Sequence, residues 1–197
     1  MDETLTSLLS IALGIGLAAA TGFRIFLPLL FAGIAARADW LPLNESFAWL
    51  ESTPALLVLG TAAAAETLAY YIPGVDHILD VIAGPAAVVA GIVASAAAMT
   101  DVAPALMWPL AIVAGGGIAG VTKSGSALIR AKTGVATAGL GNPVVSTVET
   151  AGATTLSILA IALPVLCLIV VACLMFWSIR RIARFIRSRS PDPTSAD

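Results

Sequence analysis

Charge is what this chain has least of. Only 11% of its 197 residues are Asp, Glu, Lys or Arg, about half the share of a soluble domain. It therefore lacks the polar atoms needed to cover a water-facing surface. The net charge is −2, and outside a C-terminal run of arginines there is no basic patch. Nucleic-acid binding, which needs clustered phosphate-neutralising groups, is excluded. Cysteine is scarce too: Cys167 and Cys173 share one apolar run. Neither a disulfide nor a thiolate metal site is expected there. There is one histidine, His77, and no phosphate-binding Gly-rich loop or dinucleotide fingerprint, so the chain alone does not drive transport with ATP. The start, Met1-Asp2-Glu3, is acidic where a secretory leader would be basic, so the first apolar run is expected to stay as a membrane segment.

Apolar sequence is present in abundance: 59% of residues are hydrophobic and the mean hydropathy is +0.99. Long Ala/Leu/Val/Ile runs without strand alternation predict membrane helices, since lipid forces each segment to satisfy its own backbone. Apolar segments fall at about 5–22, 23–38, 54–72, 81–100, 104–122, 143–163 and 164–186. The expected fold is an all-α, polytopic transmembrane bundle of six or seven spans with broken or re-entrant helices. Residues 1–186 would form one transmembrane domain and 187–197 a short disordered cytoplasmic tail. Gly22, Arg24 and Pro28 predict a break in the first long run. Residues 39–53, with Trp40, Phe47 and Trp49, suit a membrane interface. The stretch Lys123 to Asn142 has three basic residues and no acid, and five arginines follow Trp177. Both are expected on the cytoplasmic side, with a hairpin at Pro164 between them. Topology alone accounts for Arg130 and Lys132 there. A short internal likeness links Gly14–Thr21 to Gly115–Thr122, each followed by a basic residue.

Nine of the 22 charges sit at the two ends, which leaves 13 between. Ionisable groups inside a membrane are costly and face a protein interior or a water-filled path. Arg24, between glycine and proline, can offer a fixed cation to a cavity. Glu66, deep in its segment, needs a partner such as Arg24 or Lys123. Asp76 and Asp80 lie at i, i+4 with His77 between them, a partial ligand set for a divalent cation or a proton relay. Asn142 is placed to cap a helix with Pro143 at its first position. Ser146 and Glu149 would then share one face.

The stretches Gly22-Phe-Arg24-Ile-Phe26-Leu-Pro28, Ile72-Pro-Gly-Val-Asp76-His77-Ile-Leu-Asp80 and Gly141-Asn-Pro143-Val-Val-Ser146-Thr-Val-Glu149 resemble a family of small bacterial integral membrane proteins, with relatives in plant organelles, known as a domain of unknown function. The likeness covers residues 10–165 and implies a multi-pass inner-membrane protein, while bringing no activity with it. From the residues themselves the leading expectation is a small transporter or channel. Its polar site would be Arg24, Glu66, Asp76, His77, Asp80, Lys123, Asn142, Ser146 and Glu149, carrying a small ion or solute. No cofactor is expected beyond a possible bound cation, with Asp76, His77 and Asp80 as candidate ligands. The expected partners are the bilayer, the ion or solute, and a second copy of the chain. A scaffold with structural charge pairs and an intramembrane enzyme acting on lipids remain the alternatives.

Overall fold

The computed structural model describes the backbone of residues 3–72, 75–137 and 139–187, and the side chains of residues 4–72, 79–137 and 139–180. Among these residues the chain is helical throughout, with short connections. The α-helices are α1 Glu3–Thr21, α2 Phe26–Arg37, α3 Thr53–Ala69, α4 Val75–Ala98, α5 Pro104–Leu110, α6 Gly117–Thr137, α7 Asn142–Ala162 and α8 Pro164–Arg187. A 3₁₀ turn, Glu45–Glu51, precedes α3, and a π-helical turn, Ala111–Gly116, joins α5 to α6. Residues 188–197, where the tail was expected, lie outside the described residues.

The break expected near Gly22 separates α1 from α2. Gly22, Phe23 and Arg24 turn back to bond the carbonyls of Ala19 and Ala20. Successive elements then alternate in direction. The Ser7 hydroxyl donates to the Asp101 carbonyl at 2.9 Å, and the Asn44 N–H to Ala97 O at 2.9 Å. The start of α1, the loop after α2 and the end of α4 therefore share one end of the bundle. Arg37 donates to Thr53 Oγ1 at 2.7 Å and sends α3 back toward Arg24. Helix starts follow local chemistry: Ser52 Oγ accepts from Ala55 N, with Pro54 in the first turn. The α7–α8 hairpin turns at Leu163–Pro164, and the Cys167 thiol reaches back to Leu156 O.

Four stretches are long and apolar enough to cross a membrane: Thr4–Thr21, Leu79–Ala98, Pro104–Thr137 and Asn142–Ala162. A fifth is counted if Glu45–Glu51 and Thr53–Ala69, bent by 68°, form one broken span. The expected six or seven thus become four or five by length and composition. The difference lies in α2 and in Pro164–Arg180, both shorter apolar helices. Twelve residues of α2 reach only about 18 Å, short of a hydrocarbon core of about 30 Å.

The helix that begins in the apolar segment 104–122 continues well past it, because α6 runs unbroken to Thr137. Buried Ala119, Thr122, Lys123, Ser126 and Arg130 lie three or four residues apart along one stripe of this helix. The short internal likeness acquires a place in the packing as well. A side chain at Gly14 would meet Ser95 O at 2.8 Å, and one at Gly115 would meet Ser95 Cβ at 2.6 Å. Both glycines let a helix approach α4 at Ser95, as close packing in lipid favours.

Candidate functional site

The break after α1 leaves the first amides of α2 without intrahelical acceptors, as at any helix start. Glu66, projecting from α3, supplies them. Its carboxylate accepts Ile25 N–H at 2.9 and 3.1 Å and Phe26 N–H at 3.2 Å. Arg24 and Lys123, the suggested partners, interact with it through charge, while the backbone amides make its hydrogen bonds. A helix N-terminus carries partial positive charge and donates hydrogen bonds, and so serves as a counter-ion.

Arg24, 1% exposed, turns the other way toward α7. Its Nε donates to Thr150 Oγ1 at 3.0 Å, and its Nη2 donates to Ser146 O at 2.9 Å and Ser146 Oγ at 2.5 Å. Glu149, one turn further along α7, lies 3.8 Å from the same Nη2. It also accepts hydrogen bonds from Ser126 Oγ and Arg130 Nη2 of α6. Arg130 is shared, because its Nε stands 3.4 Å from Asp80 Oδ2 on α4. Lys123 Nζ lies 3.2 Å from Asp80 Oδ1 and donates to Tyr70 Oη at 3.2 Å. Tyr70 Oη in turn donates to Asp80 Oδ1 at 3.2 Å. The guanidinium carbons of Arg24 and Arg130 sit over the Tyr70 ring, 4.4 and 4.3 Å from its centroid, within cation–π range.

Three cations and three carboxylates thus meet where α1, α2, α3, α4, α6 and α7 converge. Desolvating each ion costs several kcal/mol, so they persist there only by pairing. The pairing is incomplete: among the described residues Nη1 of Arg24 and Nη1 of Arg130 have no hydrogen-bond acceptor. Asp80 is the open member, its side chain 22% exposed against 4% for Glu149. A cleft of about 660 Å³ reaches it from the side of Arg130 and Asn142, and another of about 260 Å³ from the side of Lys123 and Pro85.

A family model described as Domain of unknown function (DUF4126) matches residues 11–184. This chain belongs to that family. No curated protein and no solved structure matches it.

Of the polar positions singled out in this DUF4126 chain, Arg24, Glu66, Asp80, Lys123, Ser146 and Glu149 come together. Asn142 is buried beside them and lines the larger cleft. It is the first residue of α7 rather than its cap, which is Gly141; the preceding turn uses Gly139 at φ 87°, where glycine is favoured. Asp76 and His77 fall in the first turn of α4, and their side chains lie outside the described residues. No group of three metal-ligating residues occurs among the described ones. Asp80, a candidate ligand, faces Lys123 and Arg130. Four participants were not assigned to the site from sequence: Tyr70, Ser126, Thr150, and Arg130, which was ascribed to topology. Tyr70 lies four residues from Glu66 and Arg130 seven from Lys123, both helical spacings that put each pair on one face.

The capping role of Glu66 is directly testable. Glu66→Ala removes the acceptor for two amides at the α2 start, and each donor left unmet costs about 1–3 kcal/mol. The expected result is a lower melting temperature in detergent, with Glu66→Gln, which keeps one acceptor oxygen, in between. Equal melting of all three proteins would contradict the cap.

Proposed function

We propose that this protein is a small multi-pass carrier or channel, with the buried charge cluster as its polar site. The observation that supports this best is Asp80, a half-buried carboxylate reached by clefts from two sides and tied to both Lys123 and Arg130. A proton or other cation arriving at Asp80 would weaken its hold on those two side chains. The α4–α6 contact would then change with the charge on one residue, which is the coupling a carrier needs. No reaction is assigned to the site. Ser126 does touch a carboxylate, but Glu149 is also bound by Arg130.

In this reading the shorter helices α2 and α8 complete a seven-pass bundle in the inner membrane. The arginines after Trp177 put the C-terminus, and the cluster end with it, on the cytoplasmic side. The cargo is a small ion or solute, and a second copy of the chain would help enclose its path.

The deciding experiment is flux through purified protein in liposomes, screened with protons and with mono- and divalent cations. Asp80→Asn is expected to lower flux at least tenfold while the protein stays folded. A second reading, a structural lock, is favoured by the way Glu66 holds the α2 amides and the cluster ties six helices. If Asp80→Asn and Glu149→Gln lose the fold, and wild type carries nothing, the lock stands and the carrier falls.

A further inference from the structure

The larger cleft beside the cluster has a composition of its own. Its polar lining is Asp80, Arg130 and Asn142, and Val81, Ala131 and Val135 are among its apolar walls. Arg130 is 3% exposed, yet its Nη1 has no acceptor among the described residues. A buried guanidinium N–H of this kind calls for one. The Asp80 carboxylate, with room for about four hydrogen bonds, stands 3.4 Å from Arg130 Nε. The cleft therefore presents a cationic donor and an anionic acceptor side by side, and its complement carries an anion and an ammonium close together.

Depth selects among such ligands. Trp108 is 46% exposed near the Asp101 end, and Trp177 is 45% exposed near the other. Ser178, next to Trp177, faces Gly125 of α6. Trp108 to Gly125 spans about 26 Å of helix, close to the hydrocarbon thickness between two aromatic belts. Arg130 lies more than a turn further on, at the depth of lipid headgroups. Val81, on the membrane side of Asp80, is 77% exposed, as a wall that meets acyl chains would be.

We infer that this cleft holds the headgroup of a zwitterionic aminophospholipid. The phosphate sits on Arg130 Nη1, the ammonium sits on Asp80, and the acyl chains leave past Val81. The site goes beyond the flux reading and does not depend on it.

The test uses full-length protein in nanodiscs of equal parts phosphatidylethanolamine and phosphatidylglycerol, followed by mild extraction and native mass spectrometry of the retained lipid. Wild type is expected to retain phosphatidylethanolamine about tenfold over phosphatidylglycerol, or about 1.4 kcal/mol. Ala131→Leu fills the cleft without touching an ion pair, so it should melt like wild type and lose the preference. Asp80→Asn should keep a bound lipid but retain both kinds equally. Equal retention by wild type, or an unchanged preference in Ala131→Leu, overturns the site. Release of the lipid by soluble phosphoethanolamine at matched concentration would transfer the cleft to a soluble zwitterion and overturn the lipid assignment.

Discussion

Arg130→Met is expected to destabilise the protein by about 3–5 kcal/mol, the cost of removing one partner from a buried ion pair. In a chain of this size that lowers the melting temperature by about 6–20 °C. The guanidinium links α6 to Glu149 on α7 and to Asp80 on α4, and it lies over Tyr70 of the α3 end. Methionine keeps most of the volume and none of the charge. Glu149 would be left with Ser126 and, at 3.8 Å, Arg24. Asp80 would keep Lys123 and Tyr70. Most of the loss therefore falls on Glu149, and adding Glu149→Gln to Arg130→Met should recover part of it. The double-mutant cycle measures that coupling. Lys132→Met is the control, because Lys132 is exposed two residues further along the same helix and exposed charges contribute about 0–1 kcal/mol. Thermal unfolding in detergent reads all five proteins, the single Glu149→Gln included. If Arg130→Met is as mild as Lys132→Met, the buried network does not hold these helices together.

That comparison also isolates where sequence and structure part company. A basic residue beyond an apolar run has a ready topological explanation. For Arg130 it hid a stronger signal: the stripe Ala119, Thr122, Lys123, Ser126, Arg130 repeats at helical spacing and marks a buried face on a helix long enough to pass the membrane edge. The scarcity of acids in 123–142 made its bases look like topology signals alone, although their counter-ions come from α4 and α7. Pairing between distant elements leaves no trace in local composition. Glu66 teaches the same lesson from the other side. The break near Gly22 was legible from glycine and proline, but a break also creates unpaired amides, and those take the hydrogen bonds of the carboxylate. Convergence of Arg24, Asp80, Lys123, Ser146 and Glu149 was within reach of the sequence because ionisable groups inside apolar runs need one another.

Gly91→Leu is the second large effect expected. A Cβ at this position would stand 2.5 Å from Ala119 Cβ, 2.9 Å from Gly115 O and 3.1 Å from Thr21 Oγ1. Four elements meet on this one missing side chain: α4, the end of α1, the π-helical turn and the start of α6. Gly115 is the reciprocal case, since its Cβ would meet Gly91 O at 2.8 Å. Two backbones touch there, so no rotamer change relieves the clash and the helices must separate. Overpacking costs about 1–3 kcal/mol, occasionally more, and in lipid the added side chain gains nothing by leaving water. Gly84→Leu is the matched control, because a Cβ at Gly84 meets nothing within 4 Å in the same helix. The expected order of melting temperature is Gly91→Leu well below wild type, with Gly84→Leu close to it. The displacement also bears on the site. Ala119 is one helical turn from Lys123, so pushing α6 from α4 separates Lys123 from Asp80, now 3.2 Å apart. Gly91→Leu should therefore lose flux along with stability, whereas Gly91→Ala, with less to accommodate, should fall between on both measurements. A Gly91→Leu protein that melts with wild type would mean that α4 and α6 do not pack this closely in the membrane.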